Sequence, residues 1–320
     1  PLPPRSALHL FALMLLGASV HPVHATGNAV RGPATPGGEL ESVVNTTGVI
    51  ELNAARSVVT STLGFDSVSH VRVDSDAGTI RGYAEFALDS DTVVPVGEVV
   101  GGTAAGILTI ANATVSAPES GVPYDIVFEL PFDGHFDVLD GQPTLILSGD
   151  LSVTVIHSLF PLSGALFQSL LSFELSTVNP TYAPLPLFAG TQSLLDGSSP
   201  TPFAGATVEI LGDTPDRLDA ILRLELSVMA GDLVTVSAFV NGLAAPAPGD
   251  EFSDTELEVL SSAGVVDFFD TASLRILVPE GVRLVGDDPL LDSVVVTAPV
   301  PLPAAIWMLA PALALLRRHR

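Results

Sequence analysis

Apolar and polar residues alternate with a period of two along much of this chain. Leu222-Arg223-Leu224-Glu225-Leu226-Ser227-Val228 keeps the alternation without a break. Ile80–Phe86, Leu151–Val155, Val234–Ala238 and Leu274-Arg275-Ile276 follow the same rule. Successive strand side chains point to opposite faces, so the pattern predicts half-buried antiparallel strands. Ile107–Val115, Ile126–Leu130, Thr144–Leu147, Ala206–Leu211, Glu256–Leu260 and Ser293–Thr297 predict further strands. Asp133-Gly134, Asp140-Gly141, Asp196-Gly197 and Asn241-Gly242 predict hairpins or loops between them, because these dipeptides tolerate positive φ. Ser158–Ser176 suits a short helix or two strands, and strand or loop is the expectation. The fold expected is all-β, an antiparallel β-sandwich, either one large sandwich or two in succession.

Two segments break the pattern. Near one end, Arg5 precedes the apolar run Leu8–Val20, and Val23-His24-Ala25 places a small residue before Thr26. That is the layout of a secretory signal peptide with its helix, over residues 1–25. Near the other end, Ala304–Leu316 is apolar but only thirteen residues long and contains Pro311. A spanning helix needs roughly 20 apolar residues, and proline inside a helix removes a hydrogen bond and clashes with the preceding turn. The segment predicts a short hydrophobic helix that anchors transiently, with Arg317, Arg318 and Arg320 holding its end on the cytoplasmic side. Arg5 gives the first segment the same orientation, so both ends predict an exported body.

The second segment resembles a known family. Val300-Pro301-Leu302-Pro303-Ala304, then Trp307, the apolar stretch and the closing arginines are similar to a PEP-CTERM sorting signal of the VPLPA type. Leu302 stands where the family's name has glutamate, which places the motif in the variant subgroup. The resemblance implies recognition and removal of the segment by an exosortase, a membrane-embedded processing enzyme. It also implies a Gram-negative bacterium that makes exopolysaccharide, and a destination at the cell surface or in the extracellular matrix.

Composition narrows the rest. Between the two segments lie all 36 acidic residues and eight arginines, Arg31, Arg56, Arg72, Arg81, Arg217, Arg223, Arg275 and Arg283, a charge near −28 with no lysine. Such a body stays soluble and repels nucleic acid and anionic membranes. Without cysteine, disulfides, thiolate metal sites and cysteine nucleophiles are excluded. The tyrosines are Tyr83, Tyr124 and Tyr182, and the single tryptophan, Trp307, belongs to the sorting segment, which leaves little for a ring-stacking sugar platform. Residues 26–44, rich in Gly and Pro at their start, predict a flexible lead. A β-sandwich region follows over 45–178. Residues 179–202 hold five prolines and form either an interdomain linker or a crossover within one sandwich. Residues 203–298 are a second β-sandwich region or the remainder of the first, and 299–320 the sorting signal.

Candidate chemistry is sparse. Asp74-Ser75-Asp76-Ala77-Gly78 begins like a calcium loop, with Glu85 at the twelfth position and Gly78 in the third ligand slot. Asp74 and Asp76 are the candidate calcium ligands, with Asp89-Ser90-Asp91 and Asp287-Asp288 weaker. His70, His135 and His157 lack metal-ligand spacing, and a G-x-S-x-G nucleophile elbow is missing. The expectation is a non-enzymatic surface or matrix protein without a resident cofactor, sorted by its tail. Its expected partners are signal peptidase, the exosortase and exopolysaccharide. The alternatives are a calcium-dependent adhesin or carbohydrate-binding module, and a secreted hydrolase.

Overall fold

A computed structural model describes residues 26–34, 41–46, 49–59, 64–89, 91–95, 101–157, 164–176, 185–193, 205–214, 216–246, 248–252, 256–259, 261–268, 272–286, 288, 290–291 and 295–297. Strands dominate these residues, and none of them is α-helical. In chain order the strands are β1 (Thr26–Ala34), β2 (Glu41–Thr46), β3 (Val49–Val59), β4 (Gly64–Asp74), β5 (Thr79–Leu88), β6 (Thr92–Pro95) and β7 (Gly101–Ser116). There follow β8 (Pro123–Gly141), β9 (Pro143–Ile156), β10 (Gly164–Ser176), β11 (Leu185–Ser193), β12 (Ala206–Thr214), β13 (Arg217–Met229) and β14 (Leu233–Pro246). The last are β15 (Pro248–Phe252), β16 (Glu256–Val259), β17 (Ser262–Asp267), β18 (Ala272–Ser273), β19 (Arg275–Pro279), β20 (Arg283–Val285) and β21 (Val295–Thr297). The expected signal helix and short hydrophobic helix lie outside the described residues.

The first sheet runs β11-β10-β9-β14-β7-β1-β2, with β20 beside β7. The second runs β12-β13-β8-β17-β5-β4-β3, with β18 on β5 and β19 on β8. β15, β16 and β6 form a small third sheet. Pairing is antiparallel in both large sheets except between β19 and β21, which run parallel. The two strand orders run in step. β13 lies against β9 and β10, β17 against β9 and β14, β5 against β14 and β7, and β4 against β7 and β1. The core fills the space between, with Phe86, Phe128, Phe136, Leu108, Leu147, Leu224 and Val236 among its buried side chains.

Alternation explains which residues enter that core. Along β13, Leu218, Ala220, Leu222, Leu224, Leu226 and Val228 are buried, while Arg223 is half-buried and Glu225 exposed. β5 alternates in the same way from Ile80 to Leu88. Thr144–Leu147 and Leu151–Val155, read as separate strands, are parts of the continuous β9, and Leu274 falls just before β19. Within Ser158–Ser176, residues 164–176 form β10.

Strands from either side of the proline-rich stretch are interleaved in both sheets. β14 sits between β7 and β9, and β13 beside β8. Inside the stretch, β11 ends the first sheet on β10 and carries Pro186, a residue that an edge strand tolerates because its outer side needs no amide donor. The expected lead supplies β1 and β2 instead of unpaired chain. β1 pairs along its full length with β7 despite Gly32 and Pro33, an instance of neighbouring strands overriding weak strand propensity.

Two predicted turns are corrected. Asp133-Gly134 lies inside β8 and Asn241-Gly242 inside β14. Both glycines make room for core side chains: a Cβ on Gly134 would stand 2.0 Å from the Leu147 side chain, and one on Gly242 2.8 Å from the Phe268 ring. Asp140-Gly141 does mark a change of direction, with φ of 59° at Gly141, but it carries the chain from the second sheet to the first and forms no hairpin. Asp196-Gly197 is outside the described residues.

Candidate functional site

The outer face of the second sheet gathers most of the ionisable chemistry. Cross-strand register places Arg217 of β13 opposite His135 of β8, His135 opposite Asp267 of β17, Asp267 opposite Tyr83 of β5, and Tyr83 opposite His70 of β4. Adjacent strands are about 4.8 Å apart, so this is a continuous polar row across five strands. It exists because each strand presents its polar positions outward and the ladder aligns them.

Each member of the row has a local partner. The Tyr83 hydroxyl donates to Glu85 Oε2 at 2.5 Å. Burial, then that hydrogen bond, then the negative charges of Glu85, Asp267 and Asp137 push the Tyr83 phenol far above its ordinary range. Tyr83 is therefore held protonated, as the donor to Glu85. His135 Nε2 is 3.3 Å from Asp137 Oδ1, and His70 Nε2 is 3.0 Å from Glu51 Oε1. Arg217 grips Asp133 with two nitrogens, at 2.6 and 3.2 Å, and reaches Asp219 at 3.4 Å. Partial burial raises the Asp133 carboxyl above its usual range even though Arg217 pulls it down, and the charge of Asp219 adds to the rise. Arg217 thereby ties β13 to β8 and His70 ties β4 to β3, whereas Tyr83 and His135 bond carboxylates of their own strands.

The proposed calcium loop is the hairpin between β4 and β5. Asp74 Oδ1 accepts the Ala77 N–H, three residues on, at 2.9 Å, which caps the hairpin turn. Gly78 takes φ of 66°, and its carbonyl accepts the Leu274 N–H at 2.8 Å. Ser75 Oγ is 3.5 Å from Asp76 Oδ1. Glu85 lies seven residues along β5, roughly 20 Å away at strand rise, where Tyr83 bonds it. The structure thus does not bring Glu85 to Asp74 and Asp76. Among the described residues no group of three or more His, Asp or Glu is arranged to hold a metal ion. The weaker candidates also hold backbone: Asp91 Oδ1 accepts the distant Ser261 N–H at 2.7 Å, and Asp288 Oδ1 the local Leu290 N–H at 2.9 Å.

His157 stands apart from the other two histidines, just after β9. Its Nδ1 is 3.1 Å from Asp232 Oδ2, whose side chain is only 1% exposed. The same oxygen accepts the Met229 N–H at 2.9 Å. Asp232 lies where the chain crosses from β13 in the second sheet to β14 in the first, and its backbone carbonyl accepts the Val115 N–H at 2.9 Å. This arrangement pins a crossover.

Tyr83, Asp267, Arg217 and Asp232 were not singled out by sequence. Of these, only Tyr83 lies in a predicted strand, Ile80–Phe86, and alternation gives no sign of which strands become neighbours. The sorting residues Val300, Pro301, Leu302, Pro303, Ala304, Trp307, Arg317, Arg318 and Arg320 lie outside the described residues. No known family model matches the chain, and no curated protein is significantly similar to it.

Proposed function

We propose that this chain is an exported, non-enzymatic surface or matrix protein, delivered by its signal peptide and sorted through residues 299–320. The observation that carries the reading is the ordered series in that segment: Val300-Pro301-Leu302-Pro303-Ala304, a short apolar stretch interrupted by Pro311, then Arg317, Arg318 and Arg320. A stretch too short and too proline-rich for a durable anchor suits a handle that a membrane-embedded exosortase-type enzyme cuts away. The body is then a cysteine-free, acidic β-sandwich released to the surface, in company with exopolysaccharide. The polar row of the second sheet supports a structural role over a catalytic one, because Tyr83, His135, His70 and Arg217 are each engaged with a neighbouring carboxylate.

The experiment is fractionation of cells expressing wild type and Pro301→Ala/Pro303→Ala. Wild type is expected at the cell surface and in the medium, and the variant in the inner membrane. Identical distribution of the two would overturn the sorting claim.

A further inference from the structure

The two outer faces of the sandwich differ in chemistry. The second sheet presents the charged row described above. On the first sheet, the central strands β7, β14 and β9 turn outward Thr103, Ala105, Ile107 and Thr109, then Leu233, Thr235, Ser237, Phe239, Asn241 and Leu243, then Ile146, Ser148, Asp150, Ser152 and Thr154, of which Ile107, Asn241 and Ser152 are buried and the rest half-buried. Asp150 is the single charged residue among these positions, in a chain whose formal net charge is −24.

Hydroxyl groups dominate the face, yet many of them are engaged within it. Thr109 Oγ1 and Ser237 Oγ bond each other at 3.1 Å. Thr103 Oγ1 donates to the Gly242 carbonyl at 3.2 Å, and Thr235 Oγ1 accepts the Asn112 N–H at 3.1 Å. Ser152 Oγ reaches the Ser237 carbonyl at 3.5 Å. Burying a polar group is costly when it loses its hydrogen bond and cheap when it keeps it. This face can therefore be dehydrated at low cost, and the half-exposed Phe239, beside Ile107, gives it an apolar centre.

We propose that the outer face of the first sheet is where two copies of this chain associate, sheet against sheet. β9 and β14 are 14 residues long. Three strands about 4.8 Å apart, each rising about 3.3 Å per residue, present roughly 650 Å². Two copies would bury roughly 1,300 Å², above the roughly 1,000 Å² that a specific interface needs. Flanking strands β10 and β1 extend the face on both sides. A second copy fits better than a hydroxyl-rich polymer because the hydroxyl groups named above are already used, whereas dry packing requires none of them. Asp150 lies opposite Phe239, inside the face, and its side chain is already half-buried and engaged within the chain.

Charge sets the salt dependence. Two acidic chains repel each other, and salt screens that repulsion. Association is expected to tighten as sodium chloride rises from about 0.05 to about 0.5 M, where the Debye length falls well below 10 Å. An interface built on ion pairs would weaken instead.

The test is sedimentation velocity of the full chain at both salt concentrations. The comparison set is wild type, Phe239→Arg, Thr154→Arg and, on the second sheet's outer face, Val68→Arg, with thermal melting of each to confirm folding. Wild type and Val68→Arg are expected to dimerise, more tightly in high salt. Phe239→Arg removes the apolar centre and Thr154→Arg brings a charge to the face, and both are expected to weaken dimerisation by about 100-fold while melting cooperatively. The proposal is overturned by a wild type that stays monomeric at tens of micromolar in both salts, or by dimers that persist in folded Phe239→Arg and Thr154→Arg. A monomeric wild type whose sedimentation shifts only on addition of a neutral glucan also overturns it, and gives the face to a polymer.

Discussion

Phe268 offers a sharp test of how the two sheets are held together. Its ring is 1% exposed and lies between a glycine of each sheet. A Cβ on Gly82 of β5 would stand 2.1 Å from Phe268 Cζ, and a Cβ on Gly242 of β14 2.8 Å from Cε1. Both glycines have ordinary strand φ values, so backbone strain does not explain them; the ring does. Phe268→Ala removes the ring and should cost about 3–5 kcal/mol. Gly82→Ala and Gly242→Ala overfill the same space and should cost about 1–3 kcal/mol each in the wild-type background. In the Phe268→Ala background an added methyl fills the cavity and gains the strand preference of Ala over Gly, about 0.5–1 kcal/mol. The penalty should then vanish or reverse, a coupling of at least about 1 kcal/mol. Urea unfolding monitored by circular dichroism measures it, provided m is unchanged across the set. In thermal melts Phe268→Ala should lose roughly 2–4 °C per kcal/mol. If Gly82→Ala costs the same with and without the ring, Phe268 does not occupy the place described and the packing argument fails.

Three further outcomes follow from the same structure. Leu224→Asp should unfold the protein, since it buries a charge in the core, whereas Arg223→Ala, which removes only partly exposed contacts at 3.7 and 3.8 Å to Glu129 and Glu225, should cost under about 1 kcal/mol by chemical denaturation. Tyr83 should resist ionisation in an ultraviolet titration: because its phenol is raised in the folded state, the unfolded chain ionises first above pH about 10, stability falls from there upward, and Tyr83→Phe should flatten that fall; a phenol titrating with the unfolded tyrosines would contradict the burial and carboxylate arguments. Millimolar calcium against sodium at matched ionic strength, in wild type and in Asp74→Ala/Asp76→Ala, separates a bound ion from charge screening: a calcium-specific rise in melting temperature that the double variant loses would establish a site, and identical responses would leave Asp74 with its turn alone.

The strands were legible because the hydrophobic pattern of a half-buried strand is local. Leu222 to Val228 carries its own phase, and the core accepted that phase. The dipeptides Asp133-Gly134 and Asn241-Gly242 misled because a glycine that permits positive φ looks the same in sequence as one that clears space for Leu147 or Phe268, residues more than ten positions away. Topology was hidden for a related reason. β14 pairs with β7 and β9, and β17 with β5 and β8, through contacts that no spacing along the chain announces. The polar row of the second sheet was hidden with it, since His70, Tyr83, Asp267 and His135 meet only through that pairing. The Asp74 loop was legible as an acidic turn, and the structure gives its carboxylate a backbone partner in the Ala77 N–H.

The proposal that residues 299–320 are a disposable sorting signal is tested most directly by intact mass. The protein is recovered from the envelope and from the medium of cells making it, and its mass is compared with the sequence. The account predicts a mature chain that begins near Thr26 and lacks Trp307, Arg317, Arg318 and Arg320 in most molecules. A population that keeps Trp307 and the arginines through to the cell surface would contradict it.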